Sequence, residues 1–262
     1  MATSKKKLII ANWKMNPTSR KEAEQLFDKV TRGVKGVKNV EVVFCPPFVY
    51  LALAKQASNV KLGGQNCHFE QKGTYTGEVS PVMLKEVGCK YVIVGHSERK
   101  KYFGETDEII NKKVKAALKA GLDVVLCIGE DSRDSFDVRG RWTRELDPVL
   151  KDQIKGALAG VSKSQVERIA VAYEPVWAIG SGKTNAGDAA SPDDVFSAKI
   201  FIKKTIGDMY DRKTADKIRV LYGGSTDSKN AEGFIRDGQA DGLLVGGSSL
   251  KADEFVKMVK SI

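Results

Sequence analysis

Histidine is scarce in this sequence: His68 and His96 are the only two among 262 residues. That excludes a histidine-rich metal centre. The four cysteines, Cys45, Cys67, Cys89 and Cys127, lie far apart and form no C-x-x-C pair. Such spacing supports neither a zinc site nor a disulfide framework, and it points to reduced thiols in a cytoplasmic protein. No apolar run approaches the ~20 residues of a membrane span. The basic start MATSKKKLIIANW offers only LIIA as an apolar stretch, too short for the core of a secretory signal, so residues 1–7 read as a flexible basic tail. Acidic residues are outnumbered, 33 against 43 Lys and Arg, which leaves a net charge of +10. The cations are interleaved with Asp and Glu and form no long block. This argues against specific nucleic-acid binding and for a solvated surface that steers anionic ligands.

What the chain does have is alternation. Apolar, β-rich runs recur at 8–12, 40–45, 60–65, 91–96, 123–129, 168–174, 218–224 and 242–247. Most are continuous rather than alternating, as suits parallel strands buried on both faces. Helical patterns lie between them. In 106–121, Ile110, Val114, Ala117 and Leu118 share one helix face, with Thr106 placed to cap the start and Gly121 to end it. Ser80-Pro81 and Ser191-Pro192 each pair an N-cap with a proline at the first helical position. Segments 19–30, 50–57, 140–158 and 250–260 also read as helical. Eight strand–helix units of about 33 residues, with no Pro/Ser-rich linker between them, predict an α/β fold: a single (β/α)8 barrel domain spanning 1–262. A doubly wound open sheet is the alternative, because periodicity does not show closure.

Both architectures bind ligands at the carboxyl ends of their strands. The glycines of Gly223-Gly224-Ser225 and Gly246-Gly247-Ser248 end the last two strands, where backbone N–H groups can approach a phosphate. Lys14, His96 and Glu174 follow strands one, four and six. Each has an ordinary reading: a surface charge, a satisfied structural histidine, a surface carboxylate. Together at one mouth they make a proton-transfer set, in which a carboxylate takes a proton α to a carbonyl, an imidazole polarises oxygens and an ammonium offsets negative charge. That chemistry needs no metal or organic cofactor.

The run EPVWAIGSGKT (174–184) contains GSGKT, which suggests a nucleotide-binding loop. The spacing denies it. G-x-x-x-x-G-K-[ST] requires glycine at 177, and the residue there is Trp177.

NWKMN (12–16), VGHSERK (94–100), CIGE (127–130), AYEPVWAIGSGKT (172–184), LYGGS (221–225) and LVGGSSL (244–250) together resemble the triosephosphate isomerase family, in order from the first strand to the last. The resemblance implies a TIM barrel that interconverts dihydroxyacetone phosphate and D-glyceraldehyde 3-phosphate through a cis-enediol(ate), in glycolysis and gluconeogenesis. It assigns Glu174 as the base and His96 as a neutral electrophile. Lys14 becomes the positive charge on the substrate oxygens, Asn12 a side-chain donor and Glu98 the partner that orients Lys14. It gives the phosphate to backbone N–H groups of Gly180, Ser225, Gly246 and Gly247. Residues Pro175, Val176, Trp177, Ala178, Ile179, Gly180, Ser181, Gly182, Lys183 and Thr184 become a lid, with Trp177 anchored on Glu130 and with Tyr222 and Ser225 as its latch. Cys127 becomes a packed thiol near the base. The loop 66–81 resembles one that inserts into the partner of a homodimer. Another sugar-phosphate isomerase, or a catalytically silent barrel used as a binding scaffold, remains the alternative reading. The chain departs from the family pattern after CIGE, where it reads DSRDSFDVRGRWTREL. It departs again after GSGKT, where NAGDAASP is longer and begins with Asn185, and at Lys100, where a second arginine is common.

Overall fold

The computed structural model describes residues 6–54, 59–131, 148–178 and 190–262. Its eight strands are β1 (Lys7–Asn12), β2 (Val40–Cys45), β3 (Val60–Gly64), β4 (Cys89–Val94), β5 (Asp123–Ile128), β6 (Ile169–Tyr173), β7 (Arg219–Tyr222) and β8 (Gly242–Val245). All pair in parallel with their sequence neighbours. β8 returns to β1, Leu8 facing Gly242 and Ala11 facing Val245, so the sheet closes into a barrel. Closure removes both exposed edges and excludes the open-sheet alternative.

Successive residues of a strand belong to different cores. Leu8, Ile10, Val43, Ile93 and Val125 lie in one buried cluster. Ile9, Val42, Val92 and Val124 lie in another, shared with the surrounding helices. A strand buried on both faces has no polar side, which is why the apolar runs are continuous.

The helices begin where the sequence carries caps. Ser19 accepts from Glu22 N–H at the start of Arg20–Gly33, and Thr106 from Ile109 N–H at the start of Asp107–Lys119. Ser191 forms a capping box with Asp194 before Pro192–Met209. Two expectations change, and a third is described only in part. Lys7, read with the tail, opens β1 and donates through Nζ to Ala240 O at 2.8 Å. The helix expected over 50–57 is a 3-10 turn at Phe48–Leu53, following Pro46-Pro47, and 55–58 lie outside the described residues. The helix expected over 140–158 is described from Pro148 to Leu158. Of the divergent stretch after CIGE, 132–147 lie outside the described residues, as do 179–189 at the far end of the expected lid.

All four cysteines are free and buried. Burial pushes the Cys67 and Cys89 thiols up to about 12. It also raises Cys45 and, with added repulsion from the Glu174 carboxylate, Cys127.

Candidate active site

The carboxyl ends of the strands bring Asn12, Lys14, His96 and Glu174 to one mouth. Asn12 is the last residue of β1, and its Oδ1 accepts from Lys14 N–H at 3.1 Å. That bond turns the chain sharply. Lys14 sits at φ +52°, a left-handed conformation that costs an L-residue roughly 1–2 kcal/mol. Gln65, from the end of β3, holds the turn by donating Nε2–H to both Lys14 O and Cys45 O at 2.8 Å. Lys14 Nζ then meets Glu98 Oε1 at 2.5 Å, in a half-buried ion pair. From the end of β8, Gly246 closes on the same lysine. A Cβ on Gly246 would stand 3.3 Å from Lys14 Cε, so a side chain there would press on the ammonium stem.

His96 caps the helix Ser97–Phe103. Its Nδ1 accepts from Glu98 N–H at 3.2 Å. A nitrogen that accepts carries no proton, which leaves Nε2 as the ring's donor. That atom lies 3.3 Å from Glu174 Oε1. Glu174 directly follows β6 and is 1% exposed. Its Oε2 accepts from Ser97 N–H at 2.9 Å, at the same helix start. Its Oε1 has no hydrogen-bond partner among the described residues. A buried carboxylate with one oxygen held and one open is costly unless something completes it.

Glu130, just past β5, gathers the other side. Tyr173 Oη donates to Glu130 Oε1 at 2.5 Å and Trp177 Nε1 to the same oxygen at 2.9 Å. Burial and then the Glu130 charge push the Tyr173 hydroxyl well above its ordinary value, so it stays a donor. Val176 N–H also reaches Glu130 O at 3.0 Å. The first part of the expected lid, Pro175 to Ala178, is therefore tied down. Ile179, Gly180, Ser181, Gly182, Lys183 and Thr184 lie outside the described residues.

At the last two strand ends, Ser225 is exposed and its carbonyl accepts from Asn230 Nδ2 at 3.3 Å. Gly246 and Gly247 open a 3-10 turn, Gly247–Leu250, whose first N–H groups have no acceptor within the turn. Tyr222 is buried against Phe234, ring centroids 4.1 Å apart. Composition and spacing do not signal Gln65 or Ser97, the residues that hold Lys14 and Glu174 in place. Gln65 is visible only as a polar residue at a strand end, and Ser97 acts through its backbone.

The triosephosphate isomerase family model matches residues 7–262. The triosephosphate isomerase of Carboxydothermus hydrogenoformans is 45% identical over 259 residues, 98% of each chain. That of Dictyoglomus thermophilum is 43% identical over 260 residues, 98% of this chain and 100% of the relative. The crystal structure of triosephosphate isomerase from Bartonella henselae superposes with a TM-score of 0.81 at 35% identity, covering 98% of each chain. Because the match runs through all eight strands at identities far above what a shared fold alone requires, the chain belongs to the triosephosphate isomerase family.

Proposed function

We propose that the mouth described above is where this chain interconverts dihydroxyacetone phosphate and D-glyceraldehyde 3-phosphate. The observation that carries this is the Glu174 carboxylate. It is buried and held by Ser97 N–H on one oxygen, while the other oxygen is open beside the protonated Nε2 of His96. Glu174 removes a proton from C1 of the ketose and returns it to C2 of the enediolate. His96 Nε2–H donates to the substrate oxygens as charge grows on them. The Lys14 ammonium supplies the countercharge, and Glu98 fixes its direction. The Oδ1 of Asn12 is committed to Lys14 N–H, which leaves its Nδ2 as the donor. Backbone N–H groups of Ser225, Gly246 and Gly247, with Gly180, take the phosphate. The lid that begins on the Trp177–Glu130 bond keeps water from the enediolate phosphate.

The partner is a second copy of this chain. The loop 66–81 stands out from the barrel, with 70–78 all exposed, yet it is braced from within. His68 stacks on Phe69 and Tyr75 at 4.3 and 4.2 Å, and His68 N–H reaches Val79 O at 2.8 Å. Exposed Met15, Val49, Tyr75, Tyr102 and Phe103 follow β1, β2, β3 and β4, one contiguous half of the mouth. Met15 is 90% exposed beside Lys14, a cost that a homodimer removes. Free thiols suit a cytoplasmic setting.

The test is to incubate the protein with dihydroxyacetone phosphate in D₂O and follow the products by NMR. Glyceraldehyde 3-phosphate carrying deuterium at C2 is expected. Glu174→Gln should lose at least ~10³-fold in kcat while still binding phosphate-bearing inhibitors. A Glu174→Gln variant at the parent rate overturns the base, and no isomerisation by the parent favours the silent scaffold.

A further inference from the structure

The base is supported by more than its own strand. Glu174 N–H donates to Ile128 O at 2.7 Å, and Val176 N–H to Glu130 O at 3.0 Å. Gly129 lies between these two acceptors. A Cβ on it would stand 1.7 Å from the Glu174 carbonyl oxygen, so only glycine lets the two backbones meet. The edge 128–130 is thus the shelf on which 174–176 rests. Glycine brings no stiffness of its own. The stiffness comes from one side chain of the helix Pro148–Leu158. Gln153 Oε1 accepts from Gly129 N–H at 3.0 Å, and Gln153 Nε2–H donates to Gly129 O at 2.9 Å. Both polar groups of the glycine are held by one planar amide. Lys100, in the helix Ser97–Phe103, donates to the same Oε1 at 3.1 Å. An ammonium only donates, so Lys100 fixes which end of the amide is the oxygen.

We infer that Gln153 is a positioning residue for the isomerisation, with Lys100 as the group that orients it. The amide locks Gly129, and through the 128–130 edge it locks Glu174 and the Glu130 anchor of Trp177. The inference rests on the reading of Glu174 as the base. Its importance follows from the geometry of proton transfer, where a ~1 Å misplacement can cost ~10²-fold in rate. Lys100 occupies the position where a second arginine is common, and it still supplies the one donor the amide needs.

A carboxylate that returns its proton late leaves the enediolate phosphate longer-lived, and its electron pair then expels inorganic phosphate. The ratio of phosphate released to triose isomerised is therefore the readout. It is a ratio per turnover, so a fraction of unfolded or inert protein does not change it. A side chain that merely knits a helix to the barrel leaves it where it is. In the full chain, Gln153→Leu removes all three bonds at similar volume. We expect a kcat ~10-fold lower with KM within about twofold, and a ratio several-fold higher. Gln153→Glu, which keeps the acceptor and loses the donor to Gly129 O, should move the ratio in the same direction. Lys100→Met should raise it by about twofold, and Lys100→Arg, which keeps a donor, should return it towards the parent. Parent values of kcat and ratio in folded Gln153→Leu overturn the inference. If that variant does not fold, equal ratios in Lys100→Met and the parent overturn it. Glu174→Gln at the parent rate would instead remove the base reading on which the inference stands, so the two failures are told apart.

Discussion

The two ends of the barrel are built from the same strands and are satisfied to different degrees. At the amino end, Glu41 of β2 is held by three neighbouring side chains. Arg219 Nη1 donates to its Oε2 at 2.9 Å, Tyr91 Oη to the same oxygen at 3.0 Å, and Lys90 stands 3.7 Å from its Oε1. Arg219 Nη2 closes the triangle on Tyr91 Oη at 2.9 Å, and Arg168 pairs with Asp123 at 3.0 Å. At the carboxyl end, Lys14 holds a left-handed turn and Glu174 keeps a buried oxygen without a hydrogen bond among the described residues. One end spends its polar groups on itself. At the other, Lys14 and Glu174 stay strained or incomplete, in arrangements open to a ligand. Stability and chemistry are thereby separated along the barrel axis.

The comparison breaks most visibly at Lys14. On the proposed role of its charge, Lys14→Met should lower kcat/KM by ~10³-fold or more, while the unfolding midpoint moves little because the side chain contributes only a half-exposed ion pair with Glu98. A large loss of stability with it would show the mouth to be structural as well. The opposite signature belongs to Arg219→Met, which leaves Glu41 and Tyr91 without their partner. It should cost about 2 kcal/mol in urea unfolding at fixed protein concentration, less than a fully buried pair because the Arg219 and Glu41 side chains each keep some solvent, with kcat within about twofold. A drop in kcat larger than the loss of folded protein would join the two ends.

The smallest effect sharpens the comparison by pH. Burial pushes the Glu41 carboxyl up, but the Arg219 hydrogen bond and charge, aided by Tyr91 and Lys90, outweigh it and hold the group below its ordinary 4.5. The folded state then binds fewer protons than the unfolded one, so this stabilisation is complete above that value and is lost as pH falls through the depressed one. Thermal midpoints taken from about pH 6 down to about pH 3 should fall more steeply for the parent than for Glu41→Gln, the two curves converging in acid. A gap that does not narrow would deny Glu41 its role.

Much of this was legible in the residues because burial on both faces leaves an unmistakable mark. All eight strands fall on the apolar runs, though several runs extend past their strands, as at 242–247 against Gly242–Val245. At the last two strands the glycines continue the run but leave the ladder at the barrel mouth, and other runs end on a polar residue such as Gln65, His96 or Glu174. The helices at 97–103, 163–166, 212–217 and 231–236 leave no sequence signal because they are too short to display a period. At the site, residue type and strand-end position single out Lys14, His96 and Glu174, while their geometry is invisible. Nothing in a lysine announces φ +52°, and Ser97 holds the Glu174 carboxylate through a backbone N–H that any residue but proline would offer.

The four thiols have a consequence outside catalysis. Electrophiles and peroxides attack the thiolate. With Cys67 and Cys89 pushed to about 12, the thiolate fraction near neutrality is on the order of 10⁻⁵, and all four sulfurs are also shut away from solvent. Under oxidative or alkylating stress, these four thiols should react slowly as long as the barrel stays folded.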